Sequence, residues 1–176
     1  GVTRVVNFAH GSLYMLGAFI GYSLVGVLSG MFGYWISILL AAVIVGLIAV
    51  LIEILILRRV YQAPELFQLV ATFGPILIIQ DVALSIWGPE DLFSVSAPGL
   101  DGAIMIMGTA MPEYDLALIA LSFLVLGGLW LLFNRTRWGT LVRAATEDRD
   151  MVSALGVNQT WLFTATFFLG SFLAAL

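Results

Sequence analysis

An all-α, polytopic transmembrane helical bundle of about five spans is the fold class the sequence predicts, on three observations. Hydrophobic residues make up 61% of the 176 and charged residues only 10%, whereas roughly a quarter of a soluble domain is charged. Mean hydropathy is +1.08, and the apolar residues gather in runs of about 20, the length that crosses about 30 Å of hydrocarbon at about 1.5 Å per residue. The seven basic residues are all arginine, and they fall on one side when the runs are threaded alternately through a bilayer.

In chain order the expected spans are Leu13–Gly30, Tyr34–Leu57, Leu66–Trp87, Tyr114–Phe133 and a last one from about Thr160 to Leu176. The first two are separated by "MFG", which predicts a tight helical hairpin. Arg4 precedes the first span, Arg58 and Arg59 close the second, and Arg135, Arg137, Arg143 and Arg149 follow the fourth. Cytoplasmic loops collect arginine, so this side is expected to face the cytoplasm, with residues 134–159 as a cytoplasmic region. The opposite loop, residues 88–113, is acidic and has no base, and is expected to be extracytoplasmic. Its alternating stretches "LFSVSA" and "AIMIMG" would pair as a small hairpin or remain irregular. The chain opens on Gly1 and stops inside an apolar run, which suggests a fragment of one membrane domain lacking material at both ends; a short natural protein with a processed N-terminus is the alternative. No basic stretch leads into a short apolar core with a cleavage site, so no signal peptide is expected.

Composition removes several kinds of chemistry. Without cysteine there are no disulfides, thiolate metal sites or Cys nucleophiles. Without lysine there is no P-loop lysine for nucleotide phosphates, so any ATP that drives this chain is bound elsewhere. A lone histidine does not make a metal site, and no cofactor, catalytic residue or nucleic-acid partner is expected.

Seven of the eighteen charged residues lie in "RTRWGTLVRAATEDRDMVSALGV", residues 135–157. Glu147 and Asp148 followed by "RDMVSAL" and Gly156 predict one short helix. Its acids would sit in the first turn, at the positive end of the dipole, and Gly156 would supply the left-handed residue after the helix. Met151, Val152 and Leu155 would form its apolar stripe, and Asn158 or Thr160 would cap the next span. The segment is either a solvated tether or a docking element, and capping at both ends favours docking.

Polar groups inside the spans are the other candidates, because an ionisable residue in hydrocarbon is costly and usually faces a bundle interior or water. Asp81, preceded by Gln80, lies about 9 Å from the end of the third span by helical rise; it would line a passage or bond a neighbouring helix. Gly74-Pro75 is expected to break that span, as transporters do beside a substrate path. Glu53, one turn from Arg58 and Arg59, is expected to snorkel or pair locally. Asn7 and His10 in "NFAHG" would stabilise a helix break or inner gate, or form an N-terminal capping cluster. Gly17-xxx-Gly21 and Gly26-xxx-Gly30 predict close helix packing, and aromatics near the span ends, including Tyr34, Trp35, Trp87, Tyr114 and Trp138, fit interfacial belts.

Three blocks carry a family resemblance: "VVNFAHGSLYMLGAF", "RRVYQAPELFQLVATFGPILIIQD" and "RTRWGTLVRAATEDRDMVSALGVNQTWLFTATFFLGSFLAAL". In this order, over most of the chain, they resemble the permease subunits of branched-chain amino-acid ABC importers. The resemblance implies that Glu147 to Gly156 is the coupling helix, seated in a groove of a separate ATPase subunit. Arg143, Glu147, Asp148, Met151, Leu155 and Gly156 would carry that coupling; Arg143 would pair with an ATPase acid or hold the segment to lipid headgroups. The motif differs from the commoner importer pattern "EAA…G". Asn7, His10, Gly74, Pro75, Gln80 and Asp81 would line the substrate path or gate. Membrane lipid, a second permease subunit, two ABC ATPase subunits, an extracytoplasmic substrate-binding protein and an amino-acid substrate are the implied partners. The implied setting is a bacterial or archaeal inner membrane. A related permease for urea, short amides or a sugar, a passive channel, and an intramembrane enzyme are the alternatives.

Overall fold

The computed structural model describes residues 9–28, 30–60, 63–90, 92, 97–100, 102–106 and 109–176. Asn7 and most of "LFSVSA" lie outside the described residues. The chain is an all-α polytopic membrane protein with one small hairpin. Helix α1 (His10–Val27) turns through Leu28 and Gly30 into α2 (Met31–Ile52). The turn is tight, as expected, but it lies earlier: Met31, Phe32 and Gly33 of "MFG" form the first turn of α2, and Gly30 makes the turn possible by adopting φ +99°. Helix α2 continues through a π-helical turn (Glu53–Leu57) into the short α3 (Arg58–Val60). Helices α4 (Glu65–Ala71) and α5 (Phe73–Trp87) form one interrupted rod. Strands β1 (Ala103–Ile106) and β2 (Thr109–Pro112) precede α6 (Glu113–Arg135), α7 (Arg137–Glu147), α8 (Arg149–Ala154) and α9 (Gln159–Ala175).

Among the described residues, four helical stretches are long and apolar enough to cross a membrane: His10–Val27, Phe32–Val60, Leu66–Trp87 and Glu113–Arg135. The expected fifth span is shorter than the others. Helix α9 has 17 residues, about 26 Å at the helical rise, and it is nonetheless the central packing element. It lies against both α1 and α2. A Cβ on Gly46 of α2 would come within 2.6 Å of the Phe168 ring, and one on Gly17 of α1 within 2.7 Å of the Ala175 Cβ. His10 stands beside Gly170 and Gly17 beside Ala175, so α1 and α9 run in the same direction. Leu13, Leu16, Val45, Ala49 and Ile79 form the main core. Helix α5 joins it through Ile79 and Trp87; the Trp87 ring stacks on Phe19 at 5.2 Å, and its indole N–H donates to Ser23 Oγ at 2.7 Å.

The glycine repeats divide. Gly17 and Gly21 face α9 and Ala41 respectively, as close packing requires, whereas Gly26 and Gly30 have nothing within 4 Å. The second repeat is therefore not a contact within this chain, and Gly30 serves the turn. Between α5 and α6 "AIMI" pairs antiparallel with "TAMP", with Ala103 opposite Pro112 and Ile106 opposite Thr109; the other stretch expected to pair, "LFSVSA", lies mostly outside the described residues.

Gly17 and Gly26 give a matched test. Gly17→Ala forces a methyl into the Ala175 backbone and should lower stability by about 1–3 kcal/mol. Gly26→Ala meets open space and should stay within about 1 kcal/mol of the parent. Thermal unfolding in detergent reads both; equal losses would contradict the α1–α9 contact.

Candidate functional site

The arginine-rich segment folds as two helices rather than one. Glu147 is the last residue of α7, and Asp148 breaks the chain with an extended conformation. The Asp148 side chain then caps α8, its Oδ1 accepting the Met151 N–H at 3.0 Å. The expected short helix is present as α8, but it starts after Asp148 rather than with Glu147 and Asp148 in its first turn, because an aspartate at an N-cap satisfies a backbone donor better than it continues a helix; α7, ahead of it, was not expected. Gly156 behaves as the sequence suggested: it has φ +77° and its N–H bonds Ser153 O at 2.9 Å. Asn158 caps α9 by accepting the Trp161 N–H at 3.1 Å.

Helix α7 is clamped to the end of α6. The Thr136 hydroxyl donates to Leu132 O at 2.5 Å and accepts the Gly139 N–H at 3.1 Å. Arg143 Nη1 reaches Phe133 O at 2.6 Å and Asn134 Oδ1 at 2.9 Å, supplying a cation and donors to carbonyls at the helix C-terminus. Gly139 leaves no room beside it; a Cβ there would stand 2.4 Å from Phe133 O. Arg143, expected to face an ATPase acid or lipid, thus makes its contacts inside the chain. Neither Gly139 nor Thr136 was a candidate from the sequence. Only their spacing marked them: Gly139 lies one helical turn before Arg143 and Thr136 about two.

Beneath this elbow lies a second core separate from the first: Val142 and Ala145 of α7, Val152 of α8, and Leu162 and Phe163 of α9. Val152 is inside, but Met151 and Leu155 point out, 65% and 77% exposed. The apolar stripe expected on one helix face is therefore divided between an inner anchor and an outer pair. Glu147 and Asp148 are exposed beside that pair.

The candidates in the spans occupy two places. Gln80 and Asp81 are exposed, on the face of α5 opposite buried Pro75, Ile79 and Ala83. The break in this rod falls at Thr72, whose hydroxyl donates to Leu69 O at 2.7 Å. Gly74 and Pro75 belong to the first turn of α5, where proline's missing N–H would have no intrahelical partner. His10 sits at the start of α1, its ring edge-on to Phe167 at 6.2 Å. Its neighbours are Phe167 and Gly170 of α9, whereas Asp81 lies on the exposed face of α5.

Glu53 was expected to pair locally, and it does so in a setting the sequence did not disclose. It is fully buried at the first position of the π-helical turn. Arg58 Nη2 donates to its Oε2 at 3.3 Å and to Thr164 Oγ1 at 2.9 Å, while the Thr164 hydroxyl reaches the same Oε2 at 2.9 Å. Among the described residues no group of three His, Asp or Glu side chains is arranged to hold a metal.

These features define a class: a multi-pass helical membrane protein whose spans are joined to a folded two-helix module on one membrane face. The whole chain, residues 1–176, matches the family described as branched-chain amino acid transport system / permease component, and the chain belongs to it. It is 29% identical over 185 residues to the high-affinity branched-chain amino acid transport system permease protein BraD of Pseudomonas aeruginosa. It is 27% identical over 190 residues to the LivH permease proteins of the corresponding systems in Salmonella typhimurium and Escherichia coli K12. Each match covers all of this chain and 60% of the relative's length. No solved structure matches.

Gly139→Ala should push α7 off the α6 terminus and cost about 1–3 kcal/mol. Hydrogen exchange at residues 132–145 checks it, and protection unchanged from the parent would contradict the elbow.

Proposed function

We propose that this chain is part of the permease subunit of an ATP-driven importer that moves branched-chain amino acids inward by alternating access. Family membership and the printed roles of BraD and LivH support the transport reading and the amino-acid substrate. The observation that carries the ATP-driven part is the outward pair Met151 and Leu155. An exposed apolar pair on a helix held from behind by Val152 is a contact surface, and a passive channel has no use for one.

In this reading α7 and α8 sit on the cytoplasmic face, and Met151 and Leu155 enter a groove of an ATPase subunit. Glu147 and Asp148 flank them as the polar rim, and Gly156 lets the chain turn back into α9. Closure of two ATPase subunits displaces the module. The spans then change packing, because the two nucleotide states make different contacts with it. The open face of α5, with Gln80 and Asp81, lines the passage shared with a second permease subunit; a carboxylate at that depth is disfavoured against lipid. His10, at the start of α1 against Phe167, and Gly74 and Pro75, in the first turn of α5, border the same path. A substrate-binding protein delivers its cargo on the side of residues 88–113. The setting is the inner membrane.

Met151→Glu with Leu155→Glu should weaken ATPase co-purification by about ten-fold or more, since a central apolar contact typically carries over 1 kcal/mol. Full retention would remove the docking reading. Because the chain has no cysteine, Ser153→Cys tests orientation directly. An impermeant maleimide should label it in inside-out vesicles and not in intact cells; the reverse pattern would overturn the topology.

A further inference from the structure

The two cores of the chain meet at one helix. The first two turns of α9 give Leu162 and Phe163 to the module core, and its later turns give Phe167 and Ala175 to the bundle core. Thr164 lies between them, and there the dry contacts give way to the polar cluster with Glu53 and Arg58. The cluster sits where α2 departs from α-helical geometry, with the Arg58 N–H bonded five residues back to Glu53 O. Such single π turns interrupt the regular ladder and are frequent at functional positions.

Resting on the importer reading above, we infer that Glu53, Arg58 and Thr164 are positioning residues that transmit movement of the α7–α8 module into the spans. Displacement of the module reaches the bundle core through the start of α9, which follows α8 after Leu155, Gly156, Val157 and Asn158. At Thr164 a charge-assisted contact joins α9 to α2 across 111 residues of sequence. Apolar side chains at this junction would allow the helices to slide. A carboxylate shared between a guanidinium and a hydroxyl fixes one register, since such bonds are short and directional.

The test is made in the assembled transporter, reconstituted with its ATPase and binding protein, by measuring substrate moved per ATP hydrolysed. Thr164→Val keeps the shape and removes the hydroxyl, and Thr164→Ser restores it. The expected result is a fall of about five-fold or more in the transport-to-hydrolysis ratio for Thr164→Val, with the parent ratio in Thr164→Ser, the size of an ordinary coupling term. Hydrolysis and co-purification should stay near parent levels. If uptake and hydrolysis fall together, the cluster is only a staple and the inference is overturned. Should Thr164→Val fail to assemble, Arg58→Lys decides: the lysine keeps the charge but cannot serve two acceptors as a planar fork does, and an unchanged ratio again overturns the inference. A parent complex that moves substrate without any ATPase chain would sink the importer reading instead, so the two failures are distinguishable.

Discussion

The structure depends on the need to keep every peptide group bonded where no water can bond it. In hydrocarbon that need enforces helices, and the long regular stretches of α1, α2 and α6 satisfy it by themselves. The irregular places are where side chains supply what the ladder lacks. Thr72 bonds back to Leu69 at the interruption of the α4–α5 rod. Thr136 and Arg143 together serve carbonyls at the end of α6. Asp148 and Asn158 cap the two helices that follow. At these breaks a polar side chain stands in for the missing ladder bond, and the module and the interrupted rod follow from those assignments.

Helix α9 gives the chain its unity. A rod of 17 residues would contribute little as an isolated span, yet it touches α1, α2 and α7. Two glycines make this possible: Gly46 admits the Phe168 ring and Gly17 admits the end of α9. Small residues take this part because lipid tails are as apolar as leucine, so helices associate by close fit rather than by flight from water.

Much of this was legible in the sequence, and the reasons for the misses are physical. Span positions follow from length and apolarity, which is why α1, α2, the α4–α5 rod and α6 fell close to expectation. The Gly156 turn and the Asn158 cap were readable because left-handed backbone and N-caps have strong residue preferences. The division of residues 135–157 into two helices was not, since Asp148 suits a first turn and an N-cap equally well in one dimension. The Gly139–Arg143 clamp and the Glu53–Arg58–Thr164 cluster depend on partners supplied by the fold. The contact between Glu53 and Thr164 spans 111 positions, beyond the reach of any local pattern.

Helix α6 differs from the rest of the bundle. None of its spanning window is buried within this chain, and its chief neighbours are β2 at one end and α7 at the other. A cleft of about 430 Å³ lined by leucines such as Leu118, Leu121, Leu129 and Leu173 separates it from α9. Its register is therefore held from its two tips and not along its length. The side chains between those tips are packed by nothing else among the described residues, so whatever neighbour covers that face, protein or lipid, sets how this helix is held.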